Sequence, residues 1–303
     1  MLVGSAQQNF SLQVDTGSSD LVSRALLAYT TFLILGLKWI ASKSCSTASC
    51  SSTYGHLYDP SSSTPSGFNF TMTYLSGSVT GSIVWDVVQL GTYNVPNQAL
   101  GMYLKAVSYV PLLKTITAAA DVVADEPLST DFEGILGLAL PLNSAIAQLI
   151  PSATDNSPDG ASFSSNIFSM TPVSPTPFFS LTLGRPGSDE IPSLLGIGLH
   201  PSSVVPDPSK INYSTLVSSS AGALYWKTNI RAVTVYVDGV ACPVTLTDSI
   251  NGAAFPTALL DSGVPLIITT SSIANGIYGA LGIHPASDGQ CTYFMYISSF
   301  LLS

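Results

Sequence analysis

V-D-T-G-S-S-D-L, residues 14–21, is the stretch from which the fold of this chain can be inferred. It places Asp15 directly after an apolar, strand-like segment and directly before Thr-Gly, where glycine permits the backbone angles of a tight turn. A second copy, L-L-D-S-G-V-P-L-I at residues 259–267, puts Asp261 in the same local setting. Two acids in matching turns predict an active site built from a pair of carboxyl groups.

Either triplet alone is weak evidence, because Asp, Ser, Thr and Gly are common turn residues and such triplets arise by chance. Two further motifs lie between the copies. Residues 71–85, T-M-T-Y-L-S-G-S-V-T-G-S-I-V-W, predict a β-hairpin with glycines at its tip and Tyr74 on its first arm. Residues 132–141, F-E-G-I-L-G-L-A-L-P, predict an apolar strand with glycines where another backbone comes close.

Composition favours a β protein and argues against nucleic-acid binding. The chain has 303 residues, enough for two domains or one large β domain, and 46% of them are hydrophobic. Lys and Arg number 9 against 18 acids, for a net charge of -9, whereas phosphate binding needs clustered cations. This balance suits acidic surroundings, where protonation of carboxylates reduces self-repulsion.

Cysteines and glycosylation sequons favour the secretory route. Cys45 and Cys50 enclose S-T-A-S, a spacing that a small disulfide loop can close, and no zinc-ligand pattern surrounds them. Candidate N-glycosylation sequons begin at Asn9, Asn69 and Asn212. The chain opens without a signal-peptide pattern. We therefore expect an extracellular or vacuolar protein whose signal peptide is not part of this chain.

Taken together, these motifs resemble those of the pepsin-like aspartic proteases of fungal type. The resemblance covers most of residues 7–290 and rests on both aspartate motifs, the C-S-T-A-S-C loop, the Tyr74 hairpin and F-E-G-I-L-G-L. It implies a mainly β, bilobal fold with one aspartate from each lobe at the floor of a cleft. It also implies a monomeric acid endopeptidase that cuts polypeptides without a metal or cofactor.

The resemblance assigns roles residue by residue. Asp15 and Asp261 match the catalytic pair, and Thr16 and Ser262 match the hydroxyl residues that cross-brace the two loops. The remaining predicted site residues are Gly17, Ser18 and Gly263, which support the pair, and Tyr74, Ser76, Gly77, Trp39 and Ile135, which form the flap and substrate cleft. Ser18 matches a hydroxyl that bonds its own lobe's carboxylate, whereas Val264 occupies the corresponding place in the second loop and offers no donor. Asp20 is interpreted as a structural or surface acid.

Residues 22–38 depart from the family pattern. In the family, Asp-Leu is followed at once by a Trp that supports the flap tyrosine, and here that residue is Trp39. The intervening stretch is free of charge from Ala25 to Leu37, which is too short for a membrane span of about 20 residues. A buried core helix is one reading. The reading we prefer is a retained intron, because excision restores D-L-W-I-A-S-K-S-C in frame.

The predicted organisation is a first lobe at residues 1–175 and a shortened second lobe at residues 176–303. Only 42 residues follow Asp261, so we expect the second lobe to lack its own I-L-G-like strand, and Cys291 opens a tail that matches nothing in the family. The predicted boundary lies in the Ser/Pro-rich stretch 157–177. Further strands are predicted at Asn9–Val14, Leu194–Leu199 and Tyr225–Val237, the last of these ending at a V-D-G-V turn.

Two functional classes follow from these features. The first is an acid endopeptidase, favoured because a binding protein has no chemical need of a paired acid. The second is a non-catalytic pepsin-like binding or inhibitor protein, and the insertion and the shortened lobe make inactivity of this particular chain a specific expectation. Polypeptides are the predicted partners in the first class. No nucleic acid and no stable membrane span are expected in either.

Overall fold

The computed structural model describes residues 1–23, 58–74, 77–105, 134–170, 176–184, 192–246, 255–264 and 267–283. Its strands are β1 Leu2–Val3, β2 Gln8–Asn9, β3 Leu12–Asp15, β4 Leu21–Ser23, β5 Thr64–Tyr74, β6 Gly77–Leu90, β7 Tyr93–Lys105, β8 Gly134–Gly137, β9 Phe179–Thr182, β10 Leu194–Ile197, β11 Lys227–Asn229, β12 Val233–Val237, β13 Val240–Val244 and β14 Thr257–Leu259. The α-helices are α1 Ala145–Leu149, α2 Phe163–Ser169 and α3 Ser271–Ala280. The prediction of a mainly β protein is confirmed.

The chain forms two compact units. The first contains Met1–Val173, Ser220–Trp226 and Leu260–Val264, and the second contains Ser174–Ser219, Lys227–Leu259 and Pro265–Ser303. Both aspartate loops therefore belong to the first unit. The division of the chain into lobes at residue 175 stays a prediction.

An eight-stranded sheet forms the frame of the first unit. Its strands follow the order β2-β1-β6-β7-β4-β8-β3, and β5 pairs with β6 outside this path. The predicted hairpin is present as β5 and β6, whose last pair before the turn is Tyr74 with Gly77. The strands are rich in Val, Ile, Thr and aromatic residues, which suit a pleated surface, and β6 and β7 bury Ile83, Val84, Val88, Ala99 and Leu100.

A proline is accommodated in β7 by a shift of register. Asp86 pairs with Gln98 and Val88 pairs with Val95, so the ladder is irregular beside Pro96. Proline has no N–H to give a ladder, which confines it to edges and bulges. The carbonyl of Val87, opposite this irregularity, instead accepts a 2.8 Å hydrogen bond from the N–H of Gly4.

Strand β8 lies between β3 and β4 and holds the first aspartate loop. It pairs in parallel with β3, with Asp15 opposite Gly137, and antiparallel with β4. A Cβ at Gly137 would lie 2.6 Å from the backbone N and O of Asp20, so only glycine fits there. This confirms the prediction that a glycine of F-E-G-I-L-G-L marks a close approach of another backbone.

Helices α1 and α2 pack against this sheet and bury Ile146, Phe163 and Ile167. Ser144 and Ser162 cap their N-termini by accepting hydrogen bonds from backbone N–H groups of the first turn. Helix α2 lies inside the Ser/Pro-rich stretch 157–177, where the sequence predicts the lobe boundary. At residues 163–169 two buried apolar side chains and a serine cap outweigh the low helix propensity of F-S-S-N-I-F-S. The boundary itself stays a prediction.

The described part of the second unit contains three two-stranded ribbons, β9 with β10, β11 with β14, and β12 with β13, together with α3. Asp238 and Gly239 form the predicted turn between β12 and β13, both with positive φ, as a two-residue hairpin turn requires. Helix α3 packs on this hairpin, where Ile273 and Val244 are buried. No α-helix in the described ranges is long and apolar enough to cross a membrane.

Two predicted strands are broken in the structure. The strand predicted at Asn9–Val14 is interrupted at Phe10 and Ser11, so that β2 pairs with β1 while β3 pairs with β8. The strand predicted at Tyr225–Val237 is interrupted at residues 230–232, because β11 pairs with β14 and β12 turns to pair with β13. Local alternation of apolar and polar residues cannot distinguish one continuous strand from two shorter ones, since each half of either segment alternates correctly.

Candidate active site

The side chains of Asp15 and Asp261 meet in the first unit. Each lies against the glycine of the opposite loop: a Cβ at Gly17 would overlap the carboxyl of Asp261, and a Cβ at Gly263 would lie 2.5 Å from Oδ1 of Asp15. This contact explains why the D-[ST]-G motif needs both its first and its last residue. The aspartate supplies the acid, and the glycine leaves room for the other acid.

Hydrogen bonds support the two carboxyl groups unequally. Asp15, only 4% exposed, accepts bonds from the N–H of Gly17 at 2.8 Å and from the hydroxyl of Ser18 at 2.5 Å. Asp261 accepts a 2.8 Å bond from the N–H of Gly263. Val264 has no hydroxyl to serve as the counterpart of Ser18, as the sequence indicates.

The environment of Asp261 favours its protonated form. Burial raises the pKa of Asp261 to about 6, and the neighbouring charge of Asp15 and a hydrogen bond between the two carboxyl groups act in the same direction. The Gly263 N–H opposes this rise, because it stabilises the ionised form. Asp261 therefore stays protonated to a higher pH than an ordinary aspartate.

A reciprocal exchange of hydrogen bonds braces the two loops. The N–H of Ser262 donates to Oγ1 of Thr16 at 2.9 Å, and the N–H of Thr16 donates to Oγ of Ser262 at 3.1 Å. Each hydroxyl then donates across to the other strand: Thr16 to the carbonyl of Leu260 at 2.8 Å, and Ser262 to that of Val14 at 2.7 Å. Both side chains thus act as donor and acceptor, which fixes the separation of the loops.

The segment after β8 holds the first aspartate loop through backbone hydrogen bonds. The N–H of Leu138 donates to the carbonyl of Asp15, and that of Ala139 donates to the carbonyl of Ser18, both at 2.7 Å. Ile135 pairs with Gln13 of β3 and is 1% exposed. Its assignment to the substrate cleft stays a prediction.

Several predicted site residues lie outside the described part of the chain. These are Trp39, Ser76, Cys45 and Cys50, and residues 24–38 of the predicted insertion. Val22 and Ser23, the first two residues of that insertion, continue β4, where Val22 pairs with Ile135. Cys242 forms no disulfide within the described ranges, and Cys291 is not among the described residues.

The sequon asparagines all lie in described segments. Asn9 and Asn212 are exposed, and exposed Asn69 on β5 accepts a 3.0 Å hydrogen bond from the hydroxyl of Ser82. Asn212-Tyr-Ser lies in an irregular segment of the second unit where Tyr213 is 79% exposed. Glycosylation at all three stays a prediction.

Asp20 is a buried structural acid, although the sequence left a surface position open. It is 2% exposed and accepts hydrogen bonds from the hydroxyl of Ser144 and the N–H of Ala145, at the start of α1. Burial raises the pKa of Asp20, against the effect of these hydrogen bonds. The carboxyl group therefore connects the first aspartate loop to α1.

Two further residues contact the site region and were missed from the sequence. Trp226 donates its indole N–H to the carbonyl of Leu138 at 2.7 Å, and Gln13 donates its amide to the carbonyl of Gly263 at 3.3 Å. The signal for Gln13 is its position two residues before Asp15 on an alternating strand, which puts both on one face. Trp226 has no such local signal.

Comparison with known proteins places these features in one family pattern. The family model described as eukaryotic aspartyl protease matches residues 1–299. The chain is 28% identical over 299 residues to pepsin A of Gallus gallus, covering 95% of this chain and 61% of that protein. It is 28% identical over 292 residues to cathepsin D of Gallus gallus, covering 95% and 58%. The chain thus spans about 60% of the length of these curated relatives.

A fungal relative and a solved structure agree with this pattern. Major aspartyl peptidase 1 of Cryptococcus neoformans is 24% identical over 308 residues, covering 97% of this chain and 51% of that protein. The crystal structure of an aspartic proteinase from Irpex lacteus superposes with a TM-score of 0.53 at 20% identity, covering 95% of this chain and 65% of that chain. The predicted pepsin-like fold is confirmed.

Proposed function

We propose, from the premise that this chain belongs to the eukaryotic aspartyl protease family, that it is an aspartic endopeptidase active at acidic pH. Asp15 and Asp261 are the catalytic pair. The observation that carries the proposal is the facing of the two carboxyl groups, each against the other loop's glycine, with the pKa of Asp261 raised to about 6. Carboxyl groups about 3 Å apart cannot both ionise, so the pair shares one proton.

The two acids take different roles because their surroundings differ. Asp15 accepts hydrogen bonds from Gly17 and Ser18, which stabilise a carboxylate, so we assign it the role of general base. Asp261 retains the proton and is assigned the role of general acid. Because the pair titrates as a unit, these roles describe the reactive state of the dyad.

The reaction that follows is addition of water to the scissile carbonyl. Asp15 takes a proton from a water molecule, whose oxygen bonds to the carbonyl carbon, while Asp261 donates its proton toward the carbonyl oxygen. The tetrahedral diol then collapses: the C–N bond breaks, the leaving nitrogen receives the proton that Asp15 has taken, and one diol hydroxyl returns its proton to Asp261 as the carbonyl re-forms. The dyad ends with one proton, as it began, and no covalent enzyme intermediate forms.

The cross-brace gives this chemistry its geometry. Acid and base must keep their separation through the proton transfers, and small displacements of catalytic groups are costly to rate. The exchange between Thr16 and Ser262 supplies four hydrogen bonds that hold the two loops in one arrangement. The family resemblance further assigns Tyr74, Ser76 and Gly77 to a flap over the substrate and Trp39 to the support of that flap, and we include these roles in the proposal.

Further parts of the proposal concern the setting of the enzyme. Its substrates are polypeptides with apolar side chains on either side of the scissile bond, and it acts as a monomer in an extracellular or vacuolar acidic compartment. The net charge of -9 and the three sequons support this location. Residues 22–38 are an insertion whose removal joins Leu21 to Trp39.

Hydrolysis of a denatured protein at about pH 3–5, with and without a statyl peptide that mimics the tetrahedral state, tests the proposal. The chain and a variant without residues 22–38 are assayed together. Asp15→Asn and Asp261→Asn are expected to abolish hydrolysis. Asp155→Asn, an exposed acid with positive φ that asparagine tolerates, is the matched control and keeps it.

Statyl-sensitive hydrolysis that both dyad variants lack supports the enzyme. Tight statyl-peptide binding without hydrolysis, in both the chain and the deletion variant, contradicts the enzyme and favours the non-catalytic binding protein. Hydrolysis that survives Asp15→Asn and Asp261→Asn also rejects the assignment of the pair.

A further inference from the structure

Gln13 makes a second, separate connection between the two aspartate loops. It lies two residues before Asp15 in β3, and side chains two apart in a strand share a face. Its amide Nε2 donates a 3.3 Å hydrogen bond to the backbone oxygen of Gly263, 250 positions further along the chain. The exchange between Thr16 and Ser262 does not involve this side chain.

The residue that Gln13 holds is central to the second loop. The N–H of Gly263 donates to Oδ1 of Asp261 at 2.8 Å, and the Cα of Gly263 faces the carboxyl group of Asp15. Glycine has the widest backbone freedom of any residue, so external bonds must set its orientation. A bond to the Gly263 carbonyl fixes the peptide that follows the N–H donor.

The two aspartate loops differ in the number of hydrogen-bond donors that support their carboxyl groups. In the first loop the hydroxyl of Ser18 donates to Asp15 beside the backbone donor Gly17. In the second loop Val264 has no hydroxyl, so support of Asp261 depends on the backbone donor Gly263. Movement of that one N–H therefore affects Asp261 more than movement of Gly17 affects Asp15.

We propose that Gln13 is a positioning residue for the second aspartate, which holds the Gly263 carbonyl and thereby keeps the Gly263 N–H on the carboxyl group of Asp261. The inference rests on the proposed function, because this orientation affects catalysis only if Asp261 acts as the acid. Among the described residues, Asp15 is the charged group that acts on Asp261. Asp20, in the same loop as Asp15, instead bonds to the start of α1.

Gln13→Met keeps the length of the side chain and removes the donor. Gln148→Met is the matched control, since the amide of Gln148 donates a 3.1 Å hydrogen bond to the carbonyl of Leu142 in an exposed position away from the dyad. We expect Gln13→Met to lower kcat about three- to tenfold, the loss of about one hydrogen bond, with KM unchanged. The alkaline limb of the pH–rate profile moves up by several tenths of a unit, because the ionised form of Asp261 loses support.

Gln13→Glu provides a second test of the same hydrogen bond if Gln13→Met does not fold. A protonated glutamic acid donates to the Gly263 carbonyl, whereas above its ordinary pKa of about 4.3 it cannot donate and adds a negative charge. We expect near wild-type kcat at about pH 3 and a loss of activity between about pH 4 and 5 that wild type does not show. Asp261 carboxyl 13C titration reads the same effect without any need for hydrolysis.

The outcomes separate this inference from the proposed function. Absence of statyl-sensitive hydrolysis in both the chain and the variant without residues 22–38 rejects the proposed function, and the carboxyl titration still reports whether Gln13 acts on Asp261. Active wild type with kcat, pH profile and titration unchanged in Gln13→Met rejects the positioning role. A lower melting temperature with an unchanged pH profile also rejects it, because that result describes a merely structural side chain.

Discussion

The carboxyl group of Asp20 accepts a 2.5 Å hydrogen bond from the hydroxyl of Ser144, which joins the first aspartate loop to the start of α1. Asp20 comes five residues after Asp15, and its other oxygen accepts from the N–H of Ala145 at 2.8 Å. The position of the first aspartate loop therefore depends on a helix terminus that takes no part in the proposed chemistry.

Replacement of Asp20 by Asn is expected to lower the free energy of unfolding by about 1–3 kcal/mol, because an amide leaves a buried N–H without its acceptor. The pKa of Asp20 is raised in the folded protein, so its contribution to stability is greatest below its unfolded pKa and declines as pH rises through the folded value. Urea unfolding should show a larger difference between wild type and Asp20→Asn at acidic than at neutral pH. The exposed Asp155→Asn variant is the control, and an equal loss in both variants would rule out the structural role.

The stability of the fold should fall as pH rises from about 4 to about 6, because Asp261 has a raised pKa in the folded state. Protonated Asp261 is favoured by folding, so its contribution is complete below the unfolded pKa and is lost as the folded group ionises. Each pKa unit corresponds to about 1.4 kcal/mol, and partial solvent exposure reduces the expected change to about 1–2 kcal/mol. Asp261→Asn should reduce the pH dependence of thermal or urea unfolding by this amount and leave the contribution of Asp20 in place. A pH dependence equal to that of wild type would contradict the raised pKa of Asp261.

The hydroxyl of Thr16 should contribute more to hydrolysis than its methyl group does. Thr16→Val removes both the bond to Leu260 and the acceptor of the Ser262 N–H, so we expect hydrolysis to fall by about tenfold or more, whereas Thr16→Ser retains most activity. Combining Thr16→Val with Ser262→Ala should cost less than the sum of the single losses, because both act on one network. Additive effects in a kinetic double-mutant cycle would show that the two hydroxyls act independently.

The glycines of the two motifs should tolerate no side chain. Gly17→Ala and Gly263→Ala place a Cβ against the facing carboxyl group, so both are expected to reduce hydrolysis by at least about a hundredfold. Gly279→Ala in α3 is the control, since nothing lies within 4 Å of a Cβ there and alanine is the better helix former. Melting temperatures of all three variants distinguish loss of the site from loss of the fold.

Removal of residues 22–38 should improve soluble yield. The stretch from Ala25 to Leu37 has no charged residue, and apolar surface without cover promotes aggregation. In the shortened chain Trp39 and Ile40 follow Leu21 directly and would take the β4 positions that Val22 and Ser23 occupy. Equal soluble yield and equal melting temperature for the two chains would argue that residues 22–38 are an integral part of the protein.

The site could be predicted further from the sequence than the fold around it. Asp15, Thr16 and their counterparts lie in short motifs whose residue types follow from their chemistry, so the pattern is local. The contact between Gln13 and Gly263 spans 250 positions, so strand alternation puts Gln13 on the face of Asp15 but does not identify its partner. Helix α2 was missed because burial of Phe163 and Ile167, a tertiary effect, determines it and not its helix propensity.

Carboxyl 13C titration of the two aspartates, in wild type and in Asp15→Asn, tests the shared-proton dyad most directly. We expect Asp261 to titrate near pH 6 in wild type. In Asp15→Asn its pKa should fall but stay above the ordinary aspartate value, because burial is a larger cause of the rise than the charge of Asp15. An Asp261 that titrates near pH 4 in both proteins would contradict the dyad.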